Sequence, residues 1–354
     1  MNDGVAEKIS EEKERIAEEV TRLLFTDQPE LEKRYGSSGR DKCTKDTVYH
    51  LGYLVEALRA SSPVIFNDYV EWADVMLSSR DIPVDDLIRN ISSLERVLIV
   101  RFGKEGSSAQ AYLQGARKHL KSGKSERVHW ISRNRPLGKE AGQYLEYLLD
   151  GDRRAATEVI DRLVDQDVSV QDIYEYVFQV SQYEIGALWQ QNEISVAHEH
   201  FCTAATQTIM ARLYPQIFST KPNGKTMIGC AVAGELHELG IRMVTDFFEM
   251  DGWDTYYLGA NMPAREIVNT VAEKNADLLA ISVTIPVRVH LARELIAAIR
   301  SDERTTSVKV LTGGYPFLRV SNLWRQVGAD GSAASAREAV ETGNQLASTA
   351  GGTS

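Results

Sequence analysis

The feature that most constrains this chain is a series of short apolar runs, each followed by a helical pattern, that starts near Thr226 and continues towards the C-terminus. Residues 227–232, 255–258, 278–283, 308–311 and 331–334 read as strands. Residues 239–250, 264–273 and 289–300, with a short piece near Leu323, read as the helices between them. Strands alternating with helices predict a parallel, doubly wound sheet that takes its ligand outside the carboxyl ends of the strands. The first strand runs into Glu235-Leu236-His237-Glu238-Leu239-Gly240, a strand-to-helix turn carrying one histidine. An imidazole at that edge projects into the crevice, and imidazole is a versatile ligand for transition metals.

The rest of the chain is helical. In residues 1–120, Ile9, Ile16, Val20, Leu23 and Leu24 recur at helical spacing above an acidic face from Glu11 to Glu19. Further helices are expected over 47–58, through Phe66, Tyr69, Val70, Ala73 and Leu77, from Val84 towards Ile99, and over 109–120. Polar residues at 121–125 and the turn Arg135-Pro136-Leu137-Gly138 mark a linker at 121–138, with Trp130 and Ile131 docking from it. Residues 139–220 then read as a four-helix bundle. Its starts are Asp152, the sequence Ser169-Val170-Gln171-Asp172, which resembles a capping box, and Ser195. Residues 221–354 form the α/β domain, with a frayed tail from Ser348.

A formal charge of −10 argues against a nucleic-acid surface, and no apolar run is long enough to span a membrane. The charged N-terminus lacks a signal-peptide core. Cys43, Cys202 and Cys230 are too scattered for a CxxC metal site or a disulfide framework. A cytoplasmic protein is expected.

Two more motifs fall at the carboxyl edge that carries His237. Ser282-Val283-Thr284 ends the third strand and Gly313-Gly314 ends the fourth, where glycine lets a ligand approach the backbone. With their spacing, Glu235-Leu236-His237, Gly240, Ser282, Thr284, Gly313 and Gly314 resemble the cobalamin-binding fold of methionine synthase, corrinoid methyltransferase proteins and base-off mutases. The resemblance implies a flavodoxin-like or Rossmann-like B12-binding domain with His237 as the lower axial ligand to cobalt. The displaced dimethylbenzimidazole tail would thread beside Ser282, Thr284, Gly313 and Gly314. Glu235 stands where most members have aspartate, a longer carboxylate for orienting the imidazole.

Ahead of the sheet, Trp189, nine residues, then Glu199-His200 are similar to the signature of cobalamin light sensors of the CarH type. There the tryptophan packs over a 5′-deoxyadenosyl group and the Glu-His pair closes the pocket. In those sensors the histidine after the tryptophan ligates cobalt once light has broken the carbon–cobalt bond. This chain has Gln190 there, leaving His198, His200 or water for that role. Residues 1–120 lack a DNA-recognition helix and look like the helical domain of the photocobilins, which also bind biliverdin. Cys43, His50, Tyr53 and Trp72, with Tyr69, are the candidate bilin contacts, and Arg34, Arg40 or Lys42 would meet its propionates. What the resemblance implies is therefore a photoreceptor rather than an enzyme. It would bind adenosylcobalamin base-off and His-on, with biliverdin as second chromophore. Light-dependent assembly as a dimer or tetramer and an unidentified downstream effector go with that reading. The alternatives are a corrinoid shuttle of a methyltransferase system and a cobalamin storage or sensing module.

Overall fold

The computed structural model describes residues 2–123 and 129–350, and these divide into two compact units. The first holds the described residues up to Gly123 together with 285–290 and 319–323, and the second holds the remainder. The part of the expected linker at 124–128 lies outside the described residues.

The first unit contains α1 (Asn2–Asp27), α2 (Glu30–Arg59), α3 (Val64–Ser78), α4 (Val84–Phe102) and α5 (Ser107–Lys121). Ile9, Ile16, Val20 and Leu24 are buried along α1, while Glu12 and Glu19 on its other side accept hydrogen bonds from Arg101 of α4. The helix expected from Thr47 instead begins at Glu30, with a break at Gly36, where φ is +66°. The added stretch is mostly polar and turns inward only at Leu31, Tyr35 and Cys43. That pattern carries too little apolar periodicity to be read as a helix without its packing partners. Tyr49, expected on the apolar side, is 62% exposed.

In the second unit, α6 (Gly138–Leu149), α7 (Arg153–Asp165), a helical stretch α8 over 170–190 and α9 (Val196–Arg212) share one apolar core around Tyr144, Phe178 and Ile209. Asp152 caps α7 by accepting from the Ala155 N–H, Ser169 caps α8 through the Asp172 N–H, and Ser195 caps α9 through the His198 N–H. Asp172 does not return to Ser169 as a capping box requires; it pairs with Arg337. Residues 174–179 of α8 form a π-turn. Trp130 docks through its backbone N–H on Glu184 and its ring against Tyr183, and Ile131 packs on the helical core.

The sheet consists of β1 (Thr226–Ala231), β2 (Asp254–Gly259), β3 (Leu278–Ser282), β4 (Lys309–Gly313) and the short β5 (Gly331–Ser332). All pairs are parallel, in the order β2-β1-β3-β4-β5. The chain leaves β1 for β2 on one side and then crosses to β3 on the other, so the crevice opens at the end of β1. The helix after β1, α10 (Leu239–Met250), packs Ile241 and Phe248 into the sheet core. Met243 and Phe247 on its other side enter the helical core, so one helix joins both layers. Helices α11 (Ala264–Lys274), α12 (Val289–Ser301) and α13 (Ala336–Ala350) follow β2, β3 and β5, with short helical pieces at Tyr214–Ile217, Tyr315–Arg319 and Leu323–Gln326. A frayed tail was expected from Ser348, but α13 extends through Ala350; residues 351–354 lie outside the described residues. Alanines, Ser348 and Thr349 make the end of α13 look weakly patterned, yet Ala339 and Leu346 anchor it to the sheet core. No described helix is long and apolar enough to cross a membrane.

Candidate corrinoid site

The geometry begins where β1 ends. Glu235 is fully buried in the turn that follows. Its Oε1 lies 2.6 Å from His237 Nδ1 and accepts the His237 backbone N–H at 3.2 Å. Its Oε2 accepts the Thr284 N–H at 3.0 Å. A carboxylate only accepts, so the hydrogen of this pair sits on Nδ1 and the lone pair on Nε2, on the far side of the ring. The His237 side chain is 59% exposed, and neighbouring Leu236 is 71% exposed. The β2 loop pins this turn: Asn261, at φ +55°, donates its N–H to the Glu235 carbonyl and accepts the Gly234 N–H on its side chain.

Strand register gathers the other motif residues. Ser282 is paired with Ala231 of β1 and with Gly313 of β4, so the ends of three strands form one row. Thr284 lies just past that row and meets Glu235 through its backbone. Gly314 takes φ +102°, and a Cβ there would fall 2.0 Å from the Val283 carbonyl oxygen, so the backbone itself requires glycine at this position. Gly240 differs: a Cβ on it would meet no atom within 4 Å. Nothing in the packing therefore calls for glycine at this position.

Trp189 lies in the last turn of α8, and Glu199 and His200 lie in the first turns of α9. Glu199 Oε2 is 2.6 Å from His200 Nδ1, while its Oε1 accepts from the Thr203 hydroxyl. Thr203 also meets Gln182, which reaches the buried Thr206–Tyr144 pair. His200 is 76% exposed, with its Nε2 turned away from Glu199. His198 is tied through Nδ1 to Ser195.

The candidate bilin residues in the first unit form a packed cluster. Buried His50 is 2.7 Å from the Tyr69 hydroxyl, and the Tyr53 ring stacks on Tyr69 at 3.7 Å. Trp72 is 38% exposed at the edge of this group, its ring 6.5 Å from Tyr69. Burial lowers the His50 pKa to about 4, which keeps the ring neutral. Cys43 sits two helical turns before His50, its sulfur accepting from Asn90 and Thr21, and burial raises its thiol pKa. A thiol held protonated in this way is a poor nucleophile for covalent attachment. Arg34 is paired with Asp86 and Arg40 with Glu32, so both of these propionate candidates already hold carboxylates.

Sequence reading gave no individual role to Glu238, Asn261 or Gln207, which fix the histidine's loop. The signal was faint: a second carboxylate beside the histidine, and an asparagine in a loop that needs a left-handed residue.

Among the described residues there is no group of three or more His, Cys, Asp and Glu side chains placed to hold a bare metal ion. One oriented, exposed imidazole suits a metal that arrives with its other ligands already attached, as cobalt would in a corrin. This fold and these residues define a cobalamin-binding module. Residues 141–214 and 225–341 match two family models, each described as a B12 binding domain.

A corrinoid protein of Desulfitobacterium hafniense (strain Y51) is 27% identical over 205 residues, 56% of this chain and 93% of that one. Dimethylamine corrinoid protein 2 of Methanosarcina mazei is 26% identical over 168 residues, 46% of this chain and 76% of the relative. The solved monomethylamine corrinoid protein of Methanosarcina barkeri shares the fold, with a TM-score of 0.53 and 20% identity over 60% of this chain and all of that one. A cobalamin-binding protein is the class that results.

Proposed function

We propose that this chain is a corrinoid carrier of the kind that serves methyltransferases, holding cobalamin base-off with His237 as the lower axial ligand. The observation that carries this reading is the Thr284–Glu235–His237 chain of hydrogen bonds. It leaves Nε2 as the free ligating atom at the switch point of the sheet. Held through His237, a corrinoid would supply the carbon-group transfer chemistry. Glu235 would fix the tautomer, Gly240 would add no side chain against the macrocycle, and Ser282, Thr284 and Gly313, at the ends of neighbouring strands, would line the path of the nucleotide tail. The exposed apolar side chains Leu236, Val196 and Phe201 offer surface for a large flat ligand to cover. The relatives named as corrinoid proteins support this reading over the light sensor.

A second reading, an adenosylcobalamin light sensor with biliverdin as second chromophore, is favoured by the Glu199–His200 pair on α9 with Trp189 ending α8. The two family matches begin at residue 141, after most of the first unit.

One experiment separates them. The apoprotein is loaded with adenosylcobalamin in the dark, and its absorption spectrum and elution volume are compared before and after green light. The carrier reading predicts that photolysis leaves the elution volume unchanged. A shift in elution volume with light overturns it in favour of the sensor. Co-expression with a biliverdin source then yields a red-absorbing band, weakened by His50→Ala, if the second chromophore exists.

A further inference from the structure

Glu238, directly after His237, joins three elements. Its Oε1 accepts from Gln207 Nε2 of α9 at 2.7 Å, and its Oε2 accepts the Ala260 N–H of the β2 loop at 3.1 Å. One turn further along α10, Arg242 donates to the Gln207 carbonyl at 3.3 Å. We propose that Glu238 is a positioning residue that latches helix α9 to the loop bearing His237, so that cobalt ligation by His237 and closure of α9 over the site favour each other. The proposal rests on His237 being the axial ligand.

The chemistry suits a latch. A carboxylate has two accepting oxygens and takes both donors at once, and hydrogen bonds to a charged acceptor are the stronger ones. Other bonds hold the helices to the sheet layer further away: the Tyr174 hydroxyl to Asp246, and Arg337 to Asp172 and Glu175. Gln207–Glu238 instead reaches the residue bonded to the histidine, where a small shift of the loop lengthens a 2.7 Å contact directly. On α9 the same side of the helix carries Glu199, Thr203 and Gln207 at successive turns, so the latch and the Glu199–His200 pair lie along one stripe. Coupling between two equilibria is reciprocal, so what ligation does to the latch, the latch does to ligation.

The test uses Q207E, E238Q and the double variant. In Q207E two carboxylates face each other and the latch opens. In the double variant the amide introduced at position 238 donates to the carboxylate introduced at position 207, while its carbonyl keeps the Ala260 N–H. The latch is then remade with its polarity reversed. Two readouts are taken: amide exchange of residues 196–212 in the apoprotein, and the pH at which the cobalamin-loaded protein loses its His-on spectrum. Q207E is expected to speed exchange about tenfold, the loss of one charge-assisted hydrogen bond. It should raise the pH of His-off conversion by up to about one unit, and the double variant should restore both. Faster exchange with an unmoved pH midpoint overturns the proposal, leaving a purely structural contact; so does a double variant no better than Q207E. If the charge introduced by Q207E prevents folding, Gln207→Leu removes the donor without adding charge and gives the same readouts. Failure of the axial reading shows separately, as a spectrum that His237→Ala leaves unchanged. The coupling then falls with it.

Discussion

Replacing Glu235 by glutamine keeps the size of a fully buried side chain and removes one of its two acceptor atoms. In the native arrangement three donors converge on the carboxylate: His237 Nδ1, the His237 N–H and the Thr284 N–H. If the new carbonyl stays on His237, the amide NH2 faces the Thr284 N–H and strands a buried donor, costing about 1–3 kcal/mol. If the amide turns round, its NH2 meets Nδ1, which must then carry the lone pair. The hydrogen moves to Nε2 and that nitrogen no longer ligates. The first outcome also replaces a charged acceptor on Nδ1 by a weaker neutral one and the second removes the ligating lone pair, so cobalt binding weakens in either case, by about 10–100-fold for the loss of a ligand-orienting partner. That range equals about 1.4–2.7 kcal/mol. Dark titration of the apoprotein with cobalamin, followed by absorbance, measures it. An affinity and a His-on spectrum within about twofold of the parent would refute the reasoning, because they would show that the tautomer is set elsewhere.

Gly240→Ala, at an exposed helical position with no neighbour in the way, should raise the apoprotein's melting temperature by the equivalent of about 0.4–1 kcal/mol, and on the proposed binding mode it should weaken cobalamin binding. Gly314→Ala should lower the melting temperature by the equivalent of about 1–3 kcal/mol or more, because it combines a positive φ with a clash on the Val283 carbonyl. Asp246, buried beneath the Tyr174 hydroxyl, has its pKa raised by burial from 3.8 to about 6. The folded protein thus keeps a proton that the unfolded chain releases, and stability falls as pH rises from about 4 to about 6. Asp246→Asn should flatten that trend and add on the order of 1–3 kcal/mol at pH 7, read by denaturant unfolding. His50 has the opposite sign: burial lowers its pKa from 6.5 to about 4, so the unfolded chain takes the proton first. Stability of the first unit falls as pH drops through that window, and His50→Gln should remove the slope.

How much was legible depends on where the information sits. The strand–helix alternation from Thr226 is written in apolar runs such as 227–233 and 278–283, and the sheet follows from it. Ser282 and Gly313 could be placed at one edge because parallel strands put their ends in register. Glu235 was readable as a carboxylate near an imidazole, but its second bond, to the Thr284 backbone, involves a residue 49 positions away and no side-chain identity. The Gln207–Glu238 latch is a contact between helices with no local pattern to announce it. The early start of α2 at Glu30 and the extension of α13 through Ala350 were hidden for the same reason, since tertiary packing stabilises stretches whose own periodicity is weak. Arg34 and Arg40 looked available for propionates because sequence does not show Asp86 and Glu32 beside them.

The central claim is that His237 Nε2 binds cobalt. Electron paramagnetic resonance of the reduced, paramagnetic cobalt form reports the nucleus of the axial nitrogen directly. Protein grown with nitrogen-15 histidine and loaded with unlabelled cobalamin should convert the nitrogen triplet splitting to a doublet, and His237→Ala should abolish that conversion. A triplet that persists in labelled protein would place the cofactor's own dimethylbenzimidazole on the metal and contradict the account.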